Sequence, residues 1–301
     1  MAVEPPLSVC LTFDFDAISV WIAETDNPAE ISRGEFGAYA IPRILSLLEK
    51  HDIRATFFVP GHTALAYPRS LGSIRDAGHE IGHHGWVHEN PAPLGREGER
   101  EVFERGLKAL ESVAGVRPLG YRSPSGEFTL NTMVLLLDYG MLYESSCCGS
   151  DFMPYYLRQG DRWSKTGPYE FGTPVDLVEM PFSWALDDFP LMEFSAGWST
   201  AQNPPSAVCE DWRSEFDYGY ANAPGGVFVL TMHPQVIGRG SRLTMLEQLI
   251  QHMREQPGVV FETMQAYAER WRAQHPLEEW KSSDSIHVGH AATLPTQAGA
   301  S

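Results

Sequence analysis

The sequence lacks the features that mark disulfide-rich, membrane-spanning and nucleic-acid-binding proteins. Its 301 residues include only four cysteines, without a Cys-x2-Cys spacing, so we expect reduced thiols rather than a disulfide framework. No run of about 18 apolar residues occurs that could cross a bilayer. The 22 basic and 39 acidic residues give a net charge of −17, which argues against nucleic acid or an anionic membrane surface as a partner.

A secretory signal is also missing from the first residues, because Met1 to Pro6 has neither a basic start nor an apolar run. We therefore expect a cytoplasmic protein with a small-molecule substrate. The hydrophobic content of 43% is sufficient for the core of one large α/β domain. Because residues 281–301 are rich in Ser, Thr, Ala and Gly, we predict a catalytic domain over residues 1–280 and a flexible tail over 281–301.

Short apolar runs alternate with segments of helical periodicity along the chain, as in a parallel sheet covered by helices. Two segments rich in Gly, Pro and aromatic residues, 154–174 and 203–224, are predicted to be loops over the open end of the fold. The arrangement predicts a single distorted (β/α) barrel of seven or eight strands. The predicted strands cover residues 7–14, 55–60, 80–84, 119–122, 142–146, 177–182, 226–233 and 259–262.

Two histidines four residues apart, His84 and His88, follow the third predicted strand at a spacing that suits a metal site. A third ligand is available at the end of the first strand, where period-2 alternation puts Asp14 and Asp16 on one face. The spacing alone leaves surface or core histidines as the alternative, the aspartates could simply end a strand, and the adjacent His83 could replace His84 as ligand. In a barrel these strand ends would converge on one mouth.

Two further polar residues stand at predicted strand ends. Arg122 could orient a carboxylate through a bidentate charge-assisted pair, or form a surface salt bridge. His233 ends an almost wholly apolar strand and precedes a proline, a position that suits a general acid. The alternative for His233 is a buried histidine that only bonds to the backbone.

In order along the chain, these segments resemble the polysaccharide deacetylase superfamily, also called carbohydrate esterase family four or the nodulation-protein homology domain. The resemblance covers nearly the whole chain and implies a distorted (β/α) barrel. Five motif regions carry it: Thr12-Phe13-Asp14-Phe15-Asp16, His84-Gly85-Trp86-Val87-His88, Tyr121-Arg122-Ser123-Pro124, the segment Trp184-Ala185-Leu186-Asp187-Asp188, and Leu230-Thr231-Met232-His233.

The resemblance also implies site roles. Asp16, His84 and His88 would bind a divalent metal, for which we expect Zn²⁺, with Co²⁺, Ni²⁺ or Mn²⁺ as alternatives. Asp14 would be the catalytic base.

The remaining catalytic roles fall to two other motif residues. Arg122 would orient the base, and His233 would be the acid. A homo-oligomer, with a tetramer as our expectation, follows by analogy to the subgroup described next.

One departure from most polysaccharide-active members concerns the substrate. Phe15 separates the two aspartates, as in a subgroup that includes peptidoglycan deacetylases, allantoinase-like proteins and cyclic imide hydrolases. Because no secretory signal is expected and the aromatic-rich loops could enclose a compact ring, we predict a metal-dependent hydrolase of non-peptide carbon–nitrogen bonds that acts on cyclic imides. Deacetylation of an N-acetyl sugar, from peptidoglycan or chitooligosaccharides, is the alternative, and a catalytically silent carbohydrate-binding barrel is a third hypothesis. The predicted substrate pocket includes Tyr155, Trp184, Asp187 and Asp188.

Overall fold

A computed structural model describes residues 6–195 and 202–282, which form one curled sheet with helices packed around it. The strand order is β6-β7-β5-β4-β3-β2-β1-β8, and β9 also pairs with β1. All pairs are parallel except β6 with β7. The sheet is a half-barrel, which confirms the predicted distorted (β/α) barrel. The strands are β1 (Leu7–Asp14), β2 (Thr56–Val59), β3 (Glu80–His83), β4 (Gly120–Tyr121), β5 (Tyr143–Glu144), β6 (Tyr155–Gln159), β7 (Thr173–Glu179), β8 (Gly226–Met232) and β9 (Val260–Phe261).

Helices follow every strand except β5 and β6. Most of them pack on the outer face of the sheet, whereas Met264, Tyr267 and Trp271 belong to the cluster on its inner face. Longer helices such as α2, α5 and α10 contribute apolar side chains to the core clusters between helices and sheet. The helices are α1 (Ile18–Glu24), α2 (Pro28–Lys50), α3 (Gly61–Ala66), α4 (Pro68–Asp76), α5 (Gly95–Ala114), α6 (Leu130–Asp138), α7 (Asp188–Met192), α8 (Pro205–Asn222), α9 (Pro234–Ile237), α10 (Gly240–Arg254), α11 (Met264–Gln274) and α12 (Leu277–Ser282).

Strand β1 shows how the sequence directs polar groups into the barrel. Every residue of this strand is buried. Its odd-numbered apolar residues, Leu7 to Phe13, belong to the cluster that includes side chains of α2. Because successive side chains point to opposite faces, Thr12 and Asp14 lie on the other face, towards the interior, and both accept hydrogen bonds there from Arg122. Burial of each large apolar side chain on the helix-facing side of β1 contributes about 1.5–3 kcal/mol to the stability of the fold.

The predicted loop over residues 154–174 is wrong in part, because its first residues form strand β6. This strand pairs antiparallel with β7 and extends one edge of the sheet. Tyr155 and Tyr156 are buried and explain the difference, since aromatic residues suit a pleated, half-buried surface.

The predicted loop over residues 203–224 is likewise wrong, because residues 205–222 form helix α8. Val208, Trp212 and Phe216 are buried at four-residue spacing, so they form one apolar face against the core. The proline at the first helical position is compatible with this, because the missing N–H has no intrahelical partner there.

Among the described residues, no helix has both the length and the apolar content needed to cross a lipid bilayer. Helix α12 continues to Ser282, so the first two residues of the predicted tail are helical. The rest of that tail, residues 283–301, lies outside the described residues.

Candidate active site

A cavity of about 510 Å³ opens at the carboxyl ends of the parallel strands. Parallel (β/α) folds place their active sites at this edge, because the loops that follow the strands converge there. The cavity therefore brings together side chains that are up to 219 residues apart in the sequence. All six polar residues predicted from strand ends line it: Asp14, Asp16, His84, His88, Arg122 and His233.

Asp16, His84 and His88 form a compact buried cluster in which one ligand atom of each lies within 4.8 Å of the others. His84 Nε2 is 3.4 Å from Asp16 Oδ1, and His88 Nε2 is 3.9 Å from Asp16 Oδ2. The buried Asp16 Oδ1 and His84 Nε2 have no hydrogen-bond partner among the described residues. Unpaired buried polar atoms are costly, so this donor set of two imidazoles and one carboxylate fits a divalent metal ion.

The structure also distinguishes the two adjacent histidines. His84 Nδ1 bonds to the carbonyl oxygen of Arg122 at 2.7 Å, which orients Nε2 towards Asp16. His83 points elsewhere, because its Nε2 bonds to Phe103 O at 2.9 Å and its Nδ1 accepts the Gly85 N–H. His84 is thus the histidine that faces the candidate metal site.

The loop after β3 presents His88 through an unusual backbone. Gly85 has φ 71° and His88 has φ 65°, the left-handed region that is strained for a residue with a side chain. The Glu89 carboxylate stabilises the loop by accepting the N–H groups of Trp86 and Val87, at 3.0 and 2.6 Å. The chain therefore holds His88 in a strained conformation that turns its ring towards Asp16.

The charges of the cluster suit a cation. Burial raises the pKa of Asp16, but His88, His84 and His233 outweigh burial and lower that pKa to about 2. Burial lowers the pKa of His88 to about 4. At neutral pH Asp16 is therefore a carboxylate and His88 a neutral imidazole, the forms that coordinate metals, whereas Asp14 and Asp16 outweigh burial and raise the pKa of His84.

Asp14 lies beside the cluster and is held by Arg122. The Arg122 guanidinium donates to Asp14 Oδ1 at 2.8 Å, to Thr12 Oγ1 at 2.9 Å and to Ser145 O at 3.0 Å. The other Asp14 oxygen, Oδ2, is 3.9 Å from His84 Nε2. Arg122 is only 2% exposed, so the surface salt bridge considered from the sequence does not apply. One carboxylate oxygen is thus fixed by the arginine while the other faces the metal cluster.

His233 is held on the opposite side of the cavity by Asp188. The Asp188 carboxylate accepts the His233 backbone N–H at 3.0 and 3.1 Å and the ring Nδ1 at 2.7 Å. Nε2 then faces the site, 3.7 Å from Asp16 Oδ2. Burial lowers the pKa of His233, but the carboxylates of Asp187, Asp188 and Asp16 outweigh it and raise that pKa well above its usual value. These carboxylates therefore favour the protonated imidazole, whose Nε2 faces the site.

The predicted pocket residues differ in position. Trp184 and Asp187 line the cavity, and burial raises the pKa of Asp187 to about 7. Asp188 is fully buried behind His233. Tyr155 does not line the cavity, because alternation along β6 turns it into the cluster packed on α6, where its hydroxyl accepts the Gly149 N–H. The expected pocket role of Tyr155 is therefore not supported.

Two contacts were missed by sequence reasoning. Asp188 acts on His233 through hydrogen bonds, whereas the sequence suggested only a pocket position; its place in Asp187-Asp188, at the start of α7, was the available signal. Gln235 approaches Asp16 Oδ2 with its Nε2 at 3.5 Å, and only its position two residues after His233 hinted at this.

Comparisons with known proteins agree with this geometry. Residues 4–143 match the polysaccharide deacetylase family model. A peptidoglycan deacetylase of Helicobacter pylori is 36% identical over 282 residues, covering 88% of this chain and 96% of that protein. The crystal structure of a polysaccharide deacetylase-like protein from Mycobacterium smegmatis is 36% identical, with a TM-score of 0.80 over 91% of this chain and 93% of that one. Puue allantoinase, 22% identical over 92% of this chain and 93% of that chain with a TM-score of 0.76, shares the fold.

A half-barrel with a candidate metal-binding triad at its strand ends points to the class of divalent-metal-dependent hydrolases. Within that class, the chain belongs to the polysaccharide deacetylase family, as its resemblance in sequence predicted. It is a hydrolase of carbon–nitrogen bonds other than peptide bonds, which confirms the predicted enzyme class. Zinc as the metal stays a prediction.

Proposed function

We propose that this protein removes the N-acetyl group from an amino sugar of the peptidoglycan type. The observation that carries the proposal is one cavity with the Asp16, His84 and His88 triad between the arginine-held Asp14 and the Asp188-held His233. The likeness to a peptidoglycan deacetylase over 96% of that relative's length supports the substrate class. We therefore favour N-deacetylation, the alternative in the sequence analysis, over the cyclic imide hydrolysis expected there.

A metal held by Asp16, His84 and His88 would lower the pKa of water from about 15.7 towards roughly 7 and polarise the amide carbonyl. Asp14 then acts as general base through its Oδ2, since Arg122 occupies Oδ1 and keeps the carboxylate oriented.

His233 supplies the proton that the departing amine nitrogen needs. The bond from Nδ1 to Asp188 fixes the tautomer and directs Nε2 into the cavity. In this proposal Asp14 is the base, with Oδ2 3.9 Å from His84 Nε2, and His233 is the acid, with Nε2 3.7 Å from Asp16 Oδ2.

The decisive experiment measures products from a panel of substrates. N-acetylglucosamine oligomers from peptidoglycan and from chitin are incubated with the metal-loaded protein, and released acetate is quantified. We expect acetate release that falls at least ~10²-fold in Asp14→Asn, because a positioned general base contributes ~10²–10⁴-fold. Asp76→Asn, at an exposed carboxylate, is the matched control and should keep full activity.

Cyclic imides form the second arm of the panel. Phe182, Trp184 and Phe189 give the cavity apolar walls, which would suit a compact ring. Ring opening of succinimide or glutarimide without acetate release from either sugar polymer would refute the deacetylase proposal. Saccharide binding without turnover of any substrate would support the silent-barrel hypothesis instead. The cytoplasmic location and the tetramer remain predictions.

A further inference from the structure

A second group of metal-ligating side chains, outside the site described above, lies where β5 meets β7. Glu144 ends β5 and pairs in register with Glu179, the last residue of β7. Cys147 follows three residues after Glu144. One carboxylate oxygen from each glutamate and the Cys147 sulfur lie within 4.8 Å of one another.

This group faces away from the interior of the barrel. Leu177 packs in the cluster formed with α6, whereas Val178 packs in the cluster on the other face of the sheet. Because side chains alternate along a strand, Glu179 shares the face of Leu177. The group is thus separated from the Asp16 triad by the sheet itself.

Most carboxylate oxygens of this group lack the hydrogen-bond partners that buried charged groups usually have. Glu144 and Glu179 are both 0% exposed. Both oxygens of Glu144 and the Oε2 atom of Glu179 have no hydrogen-bond partner among the described residues. The other Glu179 oxygen accepts the Cys147 backbone N–H at 3.0 Å, which holds the carboxylate beside the thiol.

Two such carboxylates in a dry site need a proton or a cation between them. A divalent ion meets this need, because it stabilises both anions at once. The sulfur at the same position adds a third ligand that a shared proton would not require.

We propose that Glu144, Cys147 and Glu179 form a second binding site for a divalent transition metal of the zinc type. Three protein ligands leave one coordination position for water. A thiolate beside two carboxylates favours zinc or cobalt over calcium or magnesium, which prefer oxygen ligands alone. Cys147 is partly exposed, so the ion can enter from solvent, and its binding releases the ligand protons to water.

Cobalt(II) titrated into the metal-free, reduced full-length protein tests this site. A cobalt–thiolate bond gives a near-ultraviolet charge-transfer band, whereas the Asp16, His84 and His88 triad contains no sulfur and gives none. We expect a second equivalent of bound cobalt together with this band. Asp16→Asn impairs only the Asp16, His84 and His88 site, so this variant should still bind one equivalent of cobalt at Glu144, Cys147 and Glu179 and show the charge-transfer band.

Cys147→Ser should abolish the band and the second equivalent. Cys148→Ser, at the exposed neighbouring cysteine, is the matched control and should keep both. Circular dichroism of each variant establishes that it is folded, and a wild-type titration without a charge-transfer band overturns the proposal even where a variant is not. Saturation at one cobalt without a charge-transfer band, or a band that survives in Cys147→Ser, would overturn the proposal. Neither result depends on the substrate of the enzyme.

Discussion

Asp188 holds His233 by its ring and its backbone, so replacing Asp188 with Asn tests whether this carboxylate keeps the histidine protonated. Asn has nearly the same shape, and its carbonyl oxygen has two lone pairs, so it can still accept from both Nδ1 and the backbone N–H, which share Asp188 Oδ1. It removes the negative charge that lies 2.7 Å from Nδ1. The substitution therefore changes the charge at the histidine more than the packing around it.

The size of the effect follows from this contact. Two unit charges whose centres are about 4 Å apart interact by ~4 kcal/mol at an effective dielectric constant of about 20. A neutral hydrogen bond from Asn retains ~1 kcal/mol of that stabilisation. The remaining ~3 kcal/mol lowers the pKa of His233 by ~2 units. At alkaline pH the protonated fraction of His233 is therefore ~10²-fold smaller in the variant than in the wild type. Since a general acid works only while protonated, kcat/KM at alkaline pH should fall by the same ~10²-fold.

The assay is the pH dependence of kcat/KM on the substrate that the panel identifies. In the wild type, activity is lost as the pH rises through the elevated pKa of His233. In Asp188→Asn that pKa is lower, so the alkaline limb should move to lower pH and activity should recover on acidification.

Asp187→Asn is the matched control, because Asp187 Oδ1 is 3.6 Å from the same nitrogen and its hydrogen bond from the Phe189 N–H can be kept. The alkaline limb of the kcat/KM profile should shift less in Asp187→Asn than in Asp188→Asn. A normal rate and an unmoved alkaline limb in Asp188→Asn would refute the assignment of His233 as an acid held by Asp188.

Three further changes test other parts of the structure. Arg122→Met leaves Asp14 buried without its cation, so unfolding in urea should show a loss of ~3–5 kcal/mol, whereas Arg96→Met at an exposed position should show little change. Asp16→Asn should weaken zinc binding by more than ~10²-fold in equilibrium dialysis, because even indirect supports of a ligand contribute ~10–100-fold; unchanged affinity would exclude Asp16 as a ligand. Burial lowers the pKa of His79 to about 4, so protonation of the unfolded chain should reduce stability as the pH falls from 6.5 towards 4. Between pH 7 and 5 the wild type should lose ~2 kcal/mol more than His79→Gln, and equal losses in urea would contradict this.

Much of the site could be predicted because polar residues interrupt apolar strands. Asp14, His84 and His233 each stand at or next to the end of a run whose burial requires a strand, and parallel strands bring their carboxyl ends to one edge. The family pattern then supplied the roles that spacing alone left open. The chemistry of the cavity could therefore be predicted from the sequence, whereas its shape could not.

Other parts depended on contacts that no local pattern encodes. Helix α8 carries an apolar face at four-residue spacing, but its Gly, Pro and aromatic content also fits a loop, and only packing against the core decides between them. Strand β6 is similar, because its stability comes from pairing with β7.

The sequence by itself determined which residue types stand at the strand ends, and therefore the kind of chemistry this protein can carry out. The family pattern already favoured His84, but only tertiary structure decided that its Nε2 faces Asp16 while His83 bonds to Phe103 O, and that Asp188 holds His233. The physical reason is direction, because a side chain points where packing and hydrogen bonds with distant segments turn it. Residue type does not distinguish two adjacent histidines, but in extended backbone their side chains point to opposite sides of the sheet.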